Sequence, residues 1–431
     1  MDVFGEGEMV EAKAKVICLV TIHGVGFQQP PIRAQGSNPG MEGYADHLHQ
    51  HLRAQASVGP LLSADPLRGR DGHGPIYVQS HAPTDPTIAA SGPDRLGAWS
   101  AASGRTITTE GAPLVTEQGD ARIAHIALVY ADLEERTAKV GSALEAAARS
   151  LVSLGQYATM GSLIHMLVQN VAALGAEKSP ARGLLHRSGH PTPCPPTPSL
   201  GVRTDPGAPT AGRAPYHEDG SGVLATVRQI ENDVAAYVCR NDLRTRVRGF
   251  VRDALCRLAY RADVAAIVVN AHSNGTPIAY DVLHELTPNA IGAVRALVTA
   301  GSPLRKYADL VTWGTEIGNL ARITPLAPYA PWLNFWDPRD PVADPLAPGP
   351  AWRPGQPPEQ VPPGLFHVGD APATSTPAPV HDYQVDNLSD NHGAGLRAHN
   401  YWDNTEGFVR PLSDLLTTCV EAVGTGVTTR A

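Results

Sequence analysis

The sequence predicts an α/β protein, a mainly parallel sheet covered by helices on both faces. Three observations carry this. Apolar runs in "AKVICLVTIHGVG", "ARIAHIALVYADL", "VAAIVVNAHSNG" and "RALVTAGSPL" are rich in β-branched residues and nearly continuous, the pattern of strands buried on both faces. Segments with apolar residues at helical spacing separate these runs. Three of the runs break into glycine-containing turns, where a parallel strand must hand over to a helix.

The elements follow in order. "AKVICLVTI" reads as a buried strand entering the tight turn "HGVG", and residues 46–56 read as a helix. Gly, Pro and Ser then accumulate through Thr109, interrupted by a short strand in "PIYVQSH", before the strand in "ARIAHIALVYADL". Residues 133–178 carry Ala, Leu and Met at mixed helical spacings divided by Gly141, Gly155 and Gly161, which predicts two or three short amphipathic helices. The tract "HRSGHPTPCPPTPSLGVRTDPGAPTAGRAPYHEDGSG" is too rich in Pro, Gly, Ser and Thr to build a core and reads as an exposed loop. Helix resumes at "LATVRQIENDVAAYVCRNDLRTRVRGFVRDALCRLAYR" and leads into the strand at "VAAIVVNAH". After "RALVTAGSPL" come a short aromatic strand in "PWLNFWDPRDPVADPL", a Pro-rich tract at 341–363, the segments "GLFHVGD" and "APVHDYQV", and a closing amphipathic helix in "FVRPLSDLLTTCVEAV". No internal repeat is present.

Composition narrows the function. The chain has 431 residues, 42% of them hydrophobic and 18% charged, with a formal net charge of −8. Such a balance offers no broad attraction for nucleic acid or anionic lipid. The five cysteines, Cys18, Cys194, Cys239, Cys256 and Cys419, form no CxxC pair and are odd in number. They read as free thiols in a reducing compartment, and with no signal-peptide pattern at the start the expected location is the cytoplasm. The nearest approach to a membrane span, residues 158–175, is broken by His165, Gln169 and Asn170, so no transmembrane helix is expected; peripheral contact stays open.

The chemistry centres on Ala271-His272-Ser273-Asn274-Gly275. A serine on a sharp turn between a buried strand and a helix has the form of a nucleophile elbow, in which the positions two before and two after must be small so that strand and helix can approach. Ala271 and Gly275 satisfy this, although Gly is the more frequent first residue. A pentapeptide of this kind also arises by chance, and Ala98-Trp99-Ser100-Ala101-Ala102 is a near match with no apolar strand before it. Context therefore singles out Ser273, against the plainer reading of a buried turn serine. A nucleophilic serine needs an oxyanion site: the backbone N–H of Asn274, and that of Val25 in the "IHGVG" turn, are the expected donors. The bland reading of "HGVG" is an ordinary glycine turn.

With "TIHGVG", "VVNAHSNG", "TAGSPL", "NFWDPRDPVADPL" and "RAHNYW" in this order, the chain resembles the α/β-hydrolase superfamily in its lipase and serine-esterase branch. The resemblance implies one α/β-hydrolase domain over residues 1–431; residues 131–222 depart from a minimal hydrolase as a helical and Pro/Gly-rich insertion, which its apolar helices suit to a lid or cap over the pocket. The resemblance also implies a triad in the order Ser, acid, His. Asp337, Asp340 and Asp344 are the candidate acids; the Asp-Pro-Val context of similar lipases favours Asp340, while Asp-Pro pairs also simply shape turns. His399, after the last strand, matches the expected base, with His392 and His381 as alternatives and His272 as a packing residue. The expectation is then a serine hydrolase of carboxylic esters, acting on a small-molecule or lipid-like ester through an acyl-enzyme and needing no cofactor or metal. An acyltransferase or thioesterase using the same nucleophile, and a non-catalytic scaffold on the same fold, are the alternatives. His47, His49 and His51 lie in "ADHLHQHL"; only the first and last share a helix face, and a solvated face is the expected reading rather than a metal site.

Overall fold

The computed structural model of the chain describes residues 15–24, 44–63, 74–79, 99–100, 104–105, 114–115, 122–130, 237, 241–305, 307, 318–340, 342–347, 380–387 and 398–424. The expected insertion at 131–222, with Val25 and His392, lies outside them. Among the described residues the strands are β1 (Val16–Ile22), β2 (Ile76–Gln79), β3 (Trp99–Ser100), β4 (Gly104–Arg105), β5 (Ile123–Val129), β6 (Val264–His272), β7 (Val294–Ala300), β8 (Trp332–Trp336) and β9 (Val380–Gln384). Helices are α1 (Tyr44–Ala54), α2 (Asn241–Tyr260), α3 (Gly275–Glu285), the single turn α4 (Pro288–Ile291) and α5 (Arg410–Gly424).

Seven strands form one sheet in the order β2-β5-β1-β6-β7-β8-β9, and every neighbouring pair is parallel. The architecture is α/β, as the apolar runs require: a strand with helices on both sides has no polar face to show. β1 makes the point. Val16, Cys18, Val20 and Ile22 pack in one layer with Phe250, Val251 and Leu255 of α2 and Ile278 and Val282 of α3. Ile17 and Leu19 point the other way, into a layer with Leu48 and Leu52 of α1 and Leu412, Leu415 and Leu416 of α5. Each such side chain, fully buried, stabilises the fold by about 1.5–3 kcal/mol relative to exposure.

Topology places a crevice. The chain leaves β1 to build β2 and β5 on one side, then returns to lay β6, β7, β8 and β9 on the other. Strand order thus reverses between β1 and β6, whose outgoing loops diverge beyond their carboxyl ends; in open parallel sheets this is where ligands bind.

Two readings from sequence change here. Trp99–Ser100 and Gly104–Arg105 form a short antiparallel pair in a stretch that reads as loop, because two-residue strands leave no periodic signal. Cys18 and Cys419 are free and buried, but Cys256 is disulfide-bonded, so the cysteines are not all free thiols. Cysteine spacing carries no information about pairs brought together by folding.

Candidate active site at the carboxyl edge of the sheet

Ser273 follows β6 directly, and its N–H donates to the Ala300 carbonyl at 2.9 Å, extending the β6–β7 ladder by one residue. Its φ is 52°, the only positive value at a non-glycine residue among the described residues. Holding an L-residue there costs about 1–3 kcal/mol, and such strain persists only where the surroundings over-determine it. They do. Thr276 in the first turn of α3 donates its hydroxyl to the Ser273 carbonyl at 2.9 Å and bonds Ser302 Oγ at 2.9 Å. Gly275 lets α3 approach β1: a Cβ there would lie 2.5 Å from the carbonyl oxygens of both Ile22 and His23. The demand for small residues around the serine is therefore met by contact with the first strand as well as by the turn.

The turn after β1 presses on the serine from the other side. A Cβ on Gly24 would stand 2.3 Å from Ser273 Cβ and 3.1 Å from its Oγ, so only glycine fits. His23 braces this turn. Its Nδ1–H donates to the Gly24 carbonyl at 2.8 Å and its Nε2 accepts from the Tyr130 N–H at 3.4 Å, while the two rings stack at 4.0 Å. Those bonds fit the neutral ring, and burial pushes the His23 pKa down to about 4. Asn274 heads α3 with its side-chain oxygen accepting from the Tyr307 hydroxyl at 2.8 Å. The second expected oxyanion donor, Val25, follows Gly24 outside the described residues.

Three aspartates compete for the acid's place, and hydrogen bonds separate them. Asp340 Oδ2 accepts from His399 Nδ1 at 2.8 Å and from the Tyr401 hydroxyl at 2.7 Å, and Oδ1 accepts from the Val342 N–H at 2.9 Å. Asp337 is a turn former: its oxygens accept from the N–H groups of Arg339 (2.8 Å) and Asn387 (2.6 Å), which ties the end of β8 to the end of β9. Asp344, also buried, accepts through its backbone carbonyl from Asn334 at 3.2 Å. His381 is an exposed residue of β9 with its ring tilted against Tyr383 at 4.6 Å, away from this arrangement.

His399 is 6% exposed and sits against the end of β6. Its ring centroid is 4.5 Å from that of His272, the residue before Ser273. Gly301, in the left-handed region at φ 64°, makes room for it: a Cβ there would come within 2.6 Å of His399 Cε1 and 2.8 Å of Nδ1. Gly301 adjoins Ala300, whose carbonyl holds the Ser273 N–H. Among the described residues no hydrogen bond joins the Ser273 hydroxyl to the His399 ring; bonds of this kind often tighten only around a bound substrate.

Sequence reasoning missed three contributors. His272 is fully buried and its Nε2–H donates to the His399 carbonyl at 3.0 Å, so the residue before Ser273 fixes the backbone at His399. Burial, and then the nearby His399, hold its pKa well below the ordinary histidine value, which keeps the ring neutral. Tyr401 accepts from the Asp337 N–H at 3.0 Å while donating to Asp340, and burial with the Asp340 charge holds its proton on. Gly301 was visible inside "TAGSPL", where a lone glycine at a strand end signals a close approach, but its partner lies 98 positions later in a segment that only folding brings near.

Compared with known proteins, the chain matches no family model, no curated protein and no solved structure. No helix among the described residues is long and apolar enough to cross a membrane.

Proposed function

We propose that the chain is a serine hydrolase of carboxylic esters built on an α/β-hydrolase fold. The observation that carries this is the strained Ser273 on the β6–α3 turn, at the point where strand order reverses, with His399 of the Asp340–His399 pair packed on His272, the residue before it. The topology supports the finer fold reading: the serine follows β6, the acid follows the strand two places along the sheet, and the histidine follows β9.

In this reading Ser273 Oγ attacks the ester carbonyl while His399 Nε2 takes its proton. The charge that develops on the carbonyl oxygen is met by the N–H groups of Asn274 and Val25, and Asp340 stabilises the imidazolium through Nδ1. Collapse of the tetrahedral intermediate breaks the C–O bond to the alcohol, which leaves with the proton from His399. Water then attacks the acyl-enzyme, His399 again accepting a proton and returning it to Ser273 as the acid departs. Strain at Ser273 serves this chemistry by holding the hydroxyl above the turn.

The test is hydrolysis of p-nitrophenyl esters from short to long acyl chains by wild type and Ser273→Ala, alongside labelling by a serine-directed phosphonate. Ser273→Ala is expected to lose at least about 10³-fold in kcat, and the phosphonate to label Ser273 alone. The chain-length optimum then separates esterase from lipase, and added alcohols or amines competing with water would mark an acyltransferase. A folded wild-type chain that neither hydrolyses any ester nor takes the label would sink the proposal.

A further inference from the structure

We propose that His47, His51 and Asp403 form a binding site for one late first-row divalent cation of the zinc type, which clasps the segment carrying His399 to α1. His47 and His51 stand four apart on α1 and share a face, while His49 between them is turned inward, fully buried and stacked on His125 at 5.3 Å. Across from that pair comes Asp403, four residues past His399. Its Oδ1 is 3.0 Å from His51 Nε2 and 3.9 Å from His47 Nδ1, and the three donor atoms all lie within 4.8 Å of one another.

The donor set selects the ion. Two imidazole nitrogens and one carboxylate oxygen suit zinc, cobalt or nickel, whereas calcium and magnesium prefer all-oxygen sites. Tetrahedral zinc with bonds of about 2.0–2.2 Å sets its donors about 3.4 Å apart, between the two separations observed, so small side-chain adjustments admit the ion. The carboxylate is already oriented: Asn400 Nδ2 donates to Asp403 Oδ2 at 2.5 Å, leaving Oδ1 toward the histidines. Outer-sphere bonds of this kind orient metal ligands generally. The His47 and His51 side chains are each 34% exposed and that of Asp403 35%, so an ion can enter and a fourth position is left for water. Spacing within "ADHLHQHL" reads only as a solvated face because the third donor is 352 residues from His51. Without an ion the His51–Asp403 contact is a surface pair of little energetic consequence.

Metal binding tests this without reference to ester hydrolysis, so its outcome is separate from that of the serine-hydrolase reading. The full chain, stripped of metal by chelator, is titrated with Co²⁺ followed by visible absorption, then with Zn²⁺ in competition and by thermal melting. One equivalent should bind at micromolar or tighter concentrations, with intense tetrahedral Co²⁺ bands displaced by Zn²⁺, and excess Zn²⁺ should raise the melting temperature by several degrees. Asp403→Asn and His51→Gln should each weaken binding at least tenfold, while His381→Gln, at an exposed histidine elsewhere, should leave it unchanged. No binding, or equal binding by the His47→Gln/His51→Gln double variant with a native circular dichroism spectrum, overturns the site and assigns any residual affinity to the chain's other histidines.

Discussion

A glycine makes room for the proposed base, His399. Gly301 is left-handed at φ 64° and the His399 ring occupies the space a Cβ would need. Gly301→Ala therefore meets two costs, about 1 kcal/mol for the backbone and displacement of the imidazole. Misplacement by an ångström lowers catalysis by roughly 10²-fold, so kcat on a p-nitrophenyl ester should fall by about that much in a variant that remains folded by circular dichroism. His272 gives a sharper pair. His272→Gln can still donate to the His399 carbonyl and should retain most activity, whereas His272→Leu strands that buried carbonyl, costs about 1–3 kcal/mol, and should lower kcat at least several-fold. Comparing kcat for the two separates positioning from mere volume. The triad candidates themselves were legible in the chain, since Ser273 stands between a strand and a helix and His399 after the last strand. Asp337 and Asp340 both follow β8; the Asp-Pro-Val context of similar lipases favoured Asp340, and only its carboxylate is reached by Tyr401 and His399.

Helix α3 is joined to α2 and to Tyr237 ahead of it by polar groups as well as by its apolar stripe. Tyr237 donates to Asp281 Oδ2 at 2.7 Å, and Glu285 pairs with Arg248 and, at 3.6 Å, with Arg252. Burial raises the Asp281 pKa above its ordinary 3.8, with Arg248, the Tyr237 hydroxyl, Arg244 and His284 opposing. The folded chain thus binds this proton more tightly than the unfolded chain. Its contribution to stability is full below pH 3.8 and is lost as pH rises through the raised value. Asp281→Asn, which can still accept from Tyr237, should increase stability at pH 7 and lose that advantage as pH falls toward 4, read as urea midpoints across pH. The elements themselves were legible because continuous apolar runs have one physical solution, a strand covered on both faces, and β1, β5, β6 and β7 all fall within such runs. What the pattern could not supply was the two-residue β3–β4 pair and the π-helical turn Thr405–Val409 ahead of α5, which is set by Asn404 accepting from the Gly407 N–H at 2.7 Å.

At the scale of the whole molecule, the adjoining ends of β1 and β6 carry two buried histidines that the fold keeps uncharged. His23 follows one strand and His272 ends the other, both buried and both held below the ordinary histidine pKa of 6.5, His23 at about 4. An unfolded chain protonates these rings near 6.5, while the folded chain resists. Below pH 6.5 the unfolded state therefore binds more protons, and stability falls as pH drops toward the folded values, by about 1.4 kcal/mol per pH unit for each ring. Asp281 acts in the opposite sense, so substitutions at the two kinds of site should tilt the pH–stability curve in opposite directions. His272→Gln removes one titrating ring but keeps the donor to His399, and its curve between pH 6.5 and 4.5 should be shallower than wild type by close to one proton, measured as urea midpoints with unchanged m-values. A slope identical to wild type would mean that His272 is protonated in the folded chain. It would then also be charged beside His399, and a second cation at that distance would oppose the imidazolium that the proposed reaction needs to form.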